Sequence, residues 1–325
     1  MSATQTMAAG WKLALSVSET PDLEVLGLFE EDDKRFLSAI LTPLVYRGAR
    51  IAYGGRIEPA SATNFTQEIS TQLAEAYRQI GAKPGSRPYI HYLRDNDARR
   101  EGIARLLAHA LRLGSYSEIK ILRGEATAAT LLPSGGNLAV YVNNAEAGIV
   151  GKPEELMEIP QIAEVFSGPT GRNELADMRA AMARETDARI ILGGRVTNVS
   201  KGISGIAAEA LATLAQAKPV LVIGGIGGAS RDVAWALGLI DDAERVDRDD
   251  AGYRDSDDQP SKDRYWAQME KVRGFAADYR AMLETQKLFE DAKRLAISES
   301  HAEVGTLLVT MLSKLLGPEN GEAPG

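Results

Sequence analysis

Short apolar runs with strand character alternate along this chain with longer segments of helical periodicity, and three of the runs end in glycine pairs or clusters. Parallel strands need a long crossover between them, most often a helix, so this alternation restricts the chain to βαβ units. The expected fold class is α/β, with a parallel sheet, helices on both faces and a helical C-terminal extension.

Trp11–Ser18 reads as the first strand and Glu19–Asp22 as a turn. A helix follows over Glu30–Arg47, where Phe36, Ile40, Leu41, Leu44 and Val45 recur at three- and four-residue spacings, and Gly48 ends it. Strand Ala49–Tyr53 runs directly into Gly54-Gly55-Arg56. Next come helix Thr66–Gln79, strand Pro88–Leu93, helix Ala98–Leu113, and β signals at Ser117–Leu122 and Leu138–Val142 around a loop at Pro133–Gly136. The second half gives helix Asn173–Glu185, strand Ala188–Leu192, loop Gly193–Gly202, helix Gly205–Gln216, strand Pro219–Ile223 and the glycine cluster Gly224–Gly228. The pattern is that of an α/β domain over 11–240. A charged loop or insertion is expected over 241–264, interrupted by Pro260, then a helical extension of the same domain over 265–316.

Composition removes several function classes. The 325 residues carry 37 Lys and Arg against 45 Asp and Glu, a net charge of −8, so nucleic acid is not an expected partner. The absence of cysteine excludes disulfides, thiolate nucleophiles and Cys-bound zinc, and fits a reducing compartment. The three histidines, His91, His109 and His301, show no HExxH-like spacing, so no metal is expected and they receive no role. Neither a signal peptide nor a membrane span is legible, which predicts a cytoplasmic protein with no membrane partner.

Chemistry is most legible at the three strand-to-glycine junctions, Tyr53-Gly-Gly-Arg56, Leu192-Gly-Gly-Arg195 and Ile223-Gly-Gly-Ile-Gly-Gly228. Glycine lets backbone N–H groups approach an anion, and the following helix N-terminus adds a favourable dipole. In an open parallel sheet such junctions converge at the carboxyl ends of the strands. Arg56 and Arg195 then stand where a guanidinium would clamp a phosphate or carboxylate, although a glycine pair can also serve only to make a tight turn. The GxGxxG fingerprint is missing after the first strand, where SVSETPD stands instead, which argues against hydride transfer and a dinucleotide cofactor.

The segment Gly193–Glu209, followed by Lys218-Pro-Val-Leu-Val, resembles the glycine-rich loop, helix and strand of the SLOG superfamily, which includes Smf/DprA proteins, LOG proteins and the nucleotide-sensing domain of TRPM channels. The LOG loop reads PGGxGTxxE: Gly193 and Gly194 match its glycine pair, Gly205 and Glu209 its later Gly and Glu. Leu192 replaces the proline, and an insertion containing Gly202 separates the two glycine elements. Tyr53-Gly54-Gly55-Arg56 stands where the family has its first phosphate loop, and Ser16-Val17-Ser18 where its first strand ends in small residues. Asp177-Met-Arg179 is similar to the family's arginine-bearing helix, and the long loop after the first strand and the LGGR form look most similar to the TIR- and sirtuin-associated branch of antiphage systems such as Thoeris.

The resemblance implies a Rossmann-like domain that senses a nucleotide or nucleotide-derived signal, ADP-ribose-like, at the carboxyl ends of the strands and forms a homo-oligomer, with the effector a separate protein or the sensing serving another purpose. It implies ligand contacts from Ser16, Ser18, Gly54, Gly55, Arg56, Arg179, Gly193, Gly194, Arg195, Gly202, Gly205 and Glu209, with Gly225 added from the third glycine cluster. The competing class is a LOG-like phosphoribohydrolase, in which Glu209 with Arg179 would cleave the N-glycosidic bond of a nucleoside monophosphate. An apolar stripe in the C-terminal helices, Phe275, Tyr279, Met282, Leu283 and Leu288, is expected to pack on the sheet or on a second subunit.

Overall fold

The computed structural model describes residues 10–57, 65–80, 87–167, 174–196, 203–246 and 259–317. Its strands are β1 (Lys12–Ser18), β2 (Arg50–Gly54), β3 (Tyr89–Arg94), β4 (Ser117–Arg123), β5 (Ala126–Ser134), β6 (Asn137–Val142), β7 (Ala145–Val150), β8 (Ala188–Gly193) and β9 (Val220–Ile223). They form one sheet of order β7-β6-β5-β4-β3-β2-β1-β8-β9. The six strands from β4 to β9 in that order are parallel, and β5, β6 and β7 continue the β4 edge as an antiparallel meander. Every residue of β8 and the inner five of β1 are buried, as expected for strands covered on both faces.

The flanking helices are α1 (Glu30–Tyr46), α2 (Phe65–Gln79), α3 (Asp95–Glu101), α4 (Ile103–Leu113), α5 (Pro153–Met157), α6 (Pro160–Ser167), α7 (Glu174–Glu185), α8 (Gly205–Leu214) and α9 (Gly228–Ala236). Small residues decide where one of them sits: Ala14 and Ala52, beside Ile90 and Tyr92, leave room on one sheet face for Met178, Ala181 and Met182 of α7. The opposite face carries Leu13, Leu15, Ile51, Tyr89 and Leu93 into the main core. No helix among the described residues is long and apolar enough to cross a membrane.

The helical extension consists of α10 (Gln259–Arg273), α11 (Ala276–Thr285), α12 (Phe289–Ile297) and α13 (His301–Leu315). It returns to the sheet: α10 packs on α8 and α9, α12 on β9, and α13 on α1. The expected apolar stripe is part of that packing, with Tyr279, Leu283 and Leu288 buried and the Tyr279 hydroxyl donating to the Val220 carbonyl of β9.

Several elements differ from the sequence expectation for local reasons. The helix predicted over Ala98–Leu113 is broken by Gly102, whose φ of +79° ends α3 and begins α4. The predicted loop Pro133–Gly136 is the turn of a hairpin, with Gly135 and Gly136 both at positive φ, and the β6–β7 turn uses Asn143 and Asn144 in the same region. Pro260 does not interrupt a loop but stands in the first turn of α10, where the missing N–H costs nothing.

Candidate functional site

β1 has β2 on one side and β8 on the other, so the strand order reverses there, and a crevice opens beyond their carboxyl ends. Glycine is demanded by close packing at this end of the sheet. A Cβ on Gly193, at φ +65°, would sit 2.5 Å from the Ser18 carbonyl oxygen, and one on Gly194 2.5 Å from Ile206 Cγ1. A Cβ on Gly55 would meet the Tyr53 ring at 2.4 Å and Thr66 Oγ1 at 2.6 Å, and one on Gly54 would meet Met178 Cε at 2.8 Å. The glycine pairs therefore make tight turns, and of these four Gly54 lines the crevice.

The crevice holds a cavity of about 270 Å³. Ser16, Ser18, Gly54, Arg179, Arg195, Gly205 and Glu209 line it, together with Val17, Tyr53, Leu175, Ile203 and Ile206. The first turn of α8 opens onto it, and the preceding Ser204 caps that turn by accepting from the Ala207 amide. Gln268 of α10 clasps the same cap, accepting from the Ser204 amide at 2.9 Å and donating to its carbonyl at 3.0 Å.

Glu209, one helical turn into α8, joins residues from four elements. Its Oε2 accepts from the Ser16 hydroxyl and, at 3.0 Å, from Arg189 Nη1, which also donates to Ser16 Oγ at 2.6 Å. Arg189 Nε donates to Thr213 Oγ1 at 2.8 Å, and Thr213 donates in turn to the Glu209 carbonyl. Arg179 of α7 brings its Nε to 3.6 Å from the other carboxylate oxygen, Oε1. Two guanidiniums thus share one carboxylate, and Arg179 Nε and Arg189 Nη2 are buried without a hydrogen-bond partner among the described residues. Burial pulls the pKa of Arg189 down and the Glu209 charge opposes that. Burial, followed by the same Glu209 charge, pushes the Tyr53 phenol up. The cluster is short of one negative charge, and its free donors suit an anion.

Arg189 is the residue that sequence analysis passes over. The signal for it is a lone arginine inside the apolar strand Ala188–Leu192, a charge that only a buried partner could stabilise. Of the remaining expected residues, Gly55, Arg56, Gly193, Gly194 and Gly225 stand outside the cavity lining. Arg195 is half-exposed at the rim, paired with Glu19 at 2.5 Å. Arg56 lies outside the cavity lining, its Nε 4.0 Å from Asp97, which Arg94 holds with two bonds of 2.7 and 2.8 Å. Gly225 faces the C-terminal extension, where a Cβ would come within 1.9 Å of the Ser298 carbonyl oxygen. In that third cluster the Gly228 amide donates to the chain's own Asp22 carboxylate at 2.6 Å. Gly202 lies outside the described residues.

The histidines are not isolated as their spacing suggests: His91 Nδ1 and His109 Nε2 are 2.9 Å apart in the core. No group of acidic or histidine side chains among the described residues could hold a metal ion.

A family model described as SLOG cluster2 matches the chain over residues 7–129 and 136–293, a span that contains β1, β8, α7, α8 and every residue of the cavity wall. No curated protein and no solved structure matches it.

Proposed function

The chain belongs to the SLOG cluster2 family, and from that premise we propose that it binds a nucleotide or nucleotide-derived signal, ADP-ribose-like, at the carboxyl ends of β1, β2 and β8 and acts as a cytoplasmic sensor of it. The observation that carries this reading is the cluster of Arg179, Arg189 and Glu209 on the cavity wall. Its surplus positive charge suits a phosphate, and Glu209 Oε1, the less engaged carboxylate oxygen, suits a sugar hydroxyl. The first turn of α8 adds backbone donors. A sensor must pass occupancy on, so the reading includes a homo-oligomer and a separate effector protein, with antiphage signalling as the setting.

A second reading is favoured by one distance, the 3.6 Å between Arg179 and Glu209. A carboxylate positioned by an arginine at the edge of a nucleotide pocket could stabilise oxocarbenium character or activate water, giving a phosphoribohydrolase. One experiment separates the two. The protein is incubated with AMP, ADP-ribose, NAD and cyclic ADP-ribose isomers, and melting temperature and released free base are followed in the same samples. Stabilisation without base release supports the sensor; base release that Glu209→Gln abolishes establishes the hydrolase.

A further inference from the structure

Three side chains that the cavity chemistry does not use form an ordered chain from the surface to the loop beside the site. Arg112 is exposed on α4, whereas His109 on the same helix and His91 on β3 are buried. Arg112 Nη2 lies 3.0 Å from His109 Nδ1, His109 Nε2 lies 2.9 Å from His91 Nδ1, and His91 Nε2 lies 2.9 Å from the carbonyl oxygen of Gly55. The chain ends on the residue that follows Gly54 in the cavity wall.

The chemistry of the two ends fixes every proton between them. A guanidinium can only donate, so His109 Nδ1 is the bare nitrogen and a neutral His109 ring carries its proton on Nε2. His91 Nδ1 must accept that proton's hydrogen bond, which leaves the His91 proton on Nε2, aimed at a carbonyl that can only accept. Both rings are neutral because burial lowers His91 to about 4 and, with the neighbouring His91 and Arg112, lowers His109 to about 2. Tyr89 stacks on the His91 ring at 5.7 Å and holds its plane.

The order has a consequence at the loop. In a trans peptide the N–H points opposite to the C=O, so tying the Gly55 carbonyl into the core turns the Arg56 amide the other way. Freed from His91, the same peptide could present its carbonyl oxygen where an anion is to bind. We propose that His91 and His109 are positioning residues, a proton-ordered relay that keeps the Gly55 carbonyl turned into the core and away from an anionic ligand that neither ring touches. The ligand part of this rests on the nucleotide-binding reading; the order of protons and the peptide orientation do not.

The test has a ligand-free arm and a ligand arm. The chain has only three histidines, so single substitutions assign all ring-nitrogen signals in a long-range ¹H–¹⁵N spectrum. His91 and His109 are expected to show a protonated Nε2 and a bare Nδ1 at neutral pH; a proton on Nδ1 of either ring overturns the relay. In His91→Phe, which fills the space without donating, the Arg56 backbone amide signal is expected to shift or broaden. In His91→Gln, whose amide nitrogen replaces Nε2, that signal is expected to return. With AMP and ADP-ribose as probes, His91→Phe should lower affinity about tenfold and His91→Gln should stay within about threefold of the parent. An Arg56 amide unmoved in His91→Phe, or equal affinity in the two variants, overturns the positioning role. If the parent binds neither probe, the nucleotide reading fails while the Arg56 amide still decides the relay.

Discussion

Arg189 shows how much a single side chain can commit a fold to a site. A fully buried guanidinium is tolerated only while Glu209, Ser16 and Thr213 take its hydrogen bonds, so partners from β1 and α8 are tied to β8 by one residue. Glu209→Gln leaves two guanidiniums without a counter-charge and is expected to destabilise the protein by about 3 kcal/mol in urea unfolding. Adding Arg189→Met to that variant is expected to restore part of the loss, because the stranded charge is then gone. Arg195 differs, since it is half-exposed and already paired with Glu19. Arg195→Ala is expected to weaken a phosphorylated ligand by under about 1 kcal/mol in calorimetry, a rim contribution. The two core histidines add a pH dependence. Their folded pKa values, about 4 and about 2, lie below the ordinary value of 6.5, so the unfolded chain binds protons that the folded chain refuses. Stability is therefore expected to fall as pH drops below about 6.5, by ~3 kcal/mol from His91 alone by the time its folded pKa is reached. Urea midpoints across that range measure it.

At the scale of elements, what was legible followed periodicity. The β1, β2, β3, β8 and β9 runs are apolar on both faces and end in turn chemistry, so sequence analysis found them, together with α1, α2, α7 and α8. β5 and β7 escaped it because alanine, threonine and glycine dominate ATAATLLPS and AEAGIV, and most of β7 is not buried at all. Within the site, Glu209 and Arg179 stand out in the sequence only through the resemblance to the family's loop and arginine-bearing helix. Arg189 and the histidine pair were not, because their partners lie 20 and 18 positions away and only the fold brings them together. The clasp of Gln268 on Ser204 escaped for the same reason. Gln268→Ala is expected to loosen the first turn of α8, seen as faster amide exchange at Ala207 and Ala208 with the sheet unaffected. Gly225→Ala tests the third glycine cluster. Its new methyl must displace the Ser298 backbone, so a large fall in melting temperature is expected from packing alone.

The whole molecule is graded from one sheet edge inward. β1 and β8 lie between β2 and β9 near the other end of the sheet and are buried, whereas β7 closes the far edge with Ile149 exposed. Hydrogen exchange is expected to follow burial, with the exposed β7 fastest and the buried β1 and β8 among the slowest strands. The C-terminal extension is the other large-scale feature: its α10 packs on α8 and α9 and is tied to the cap of α8 by the pair of hydrogen bonds between Gln268 and Ser204. Through it, the cap of the helix that bears Glu209 and the outer helix α10 share one mechanical joint. Linkage makes such a joint reversible: whatever occupancy of the crevice does to the grip on α10, a protein gripping α10 does to occupancy by the same factor. The exposed side of α10 is thus a place where one molecule could read the crevice and, in reading it, change what it holds.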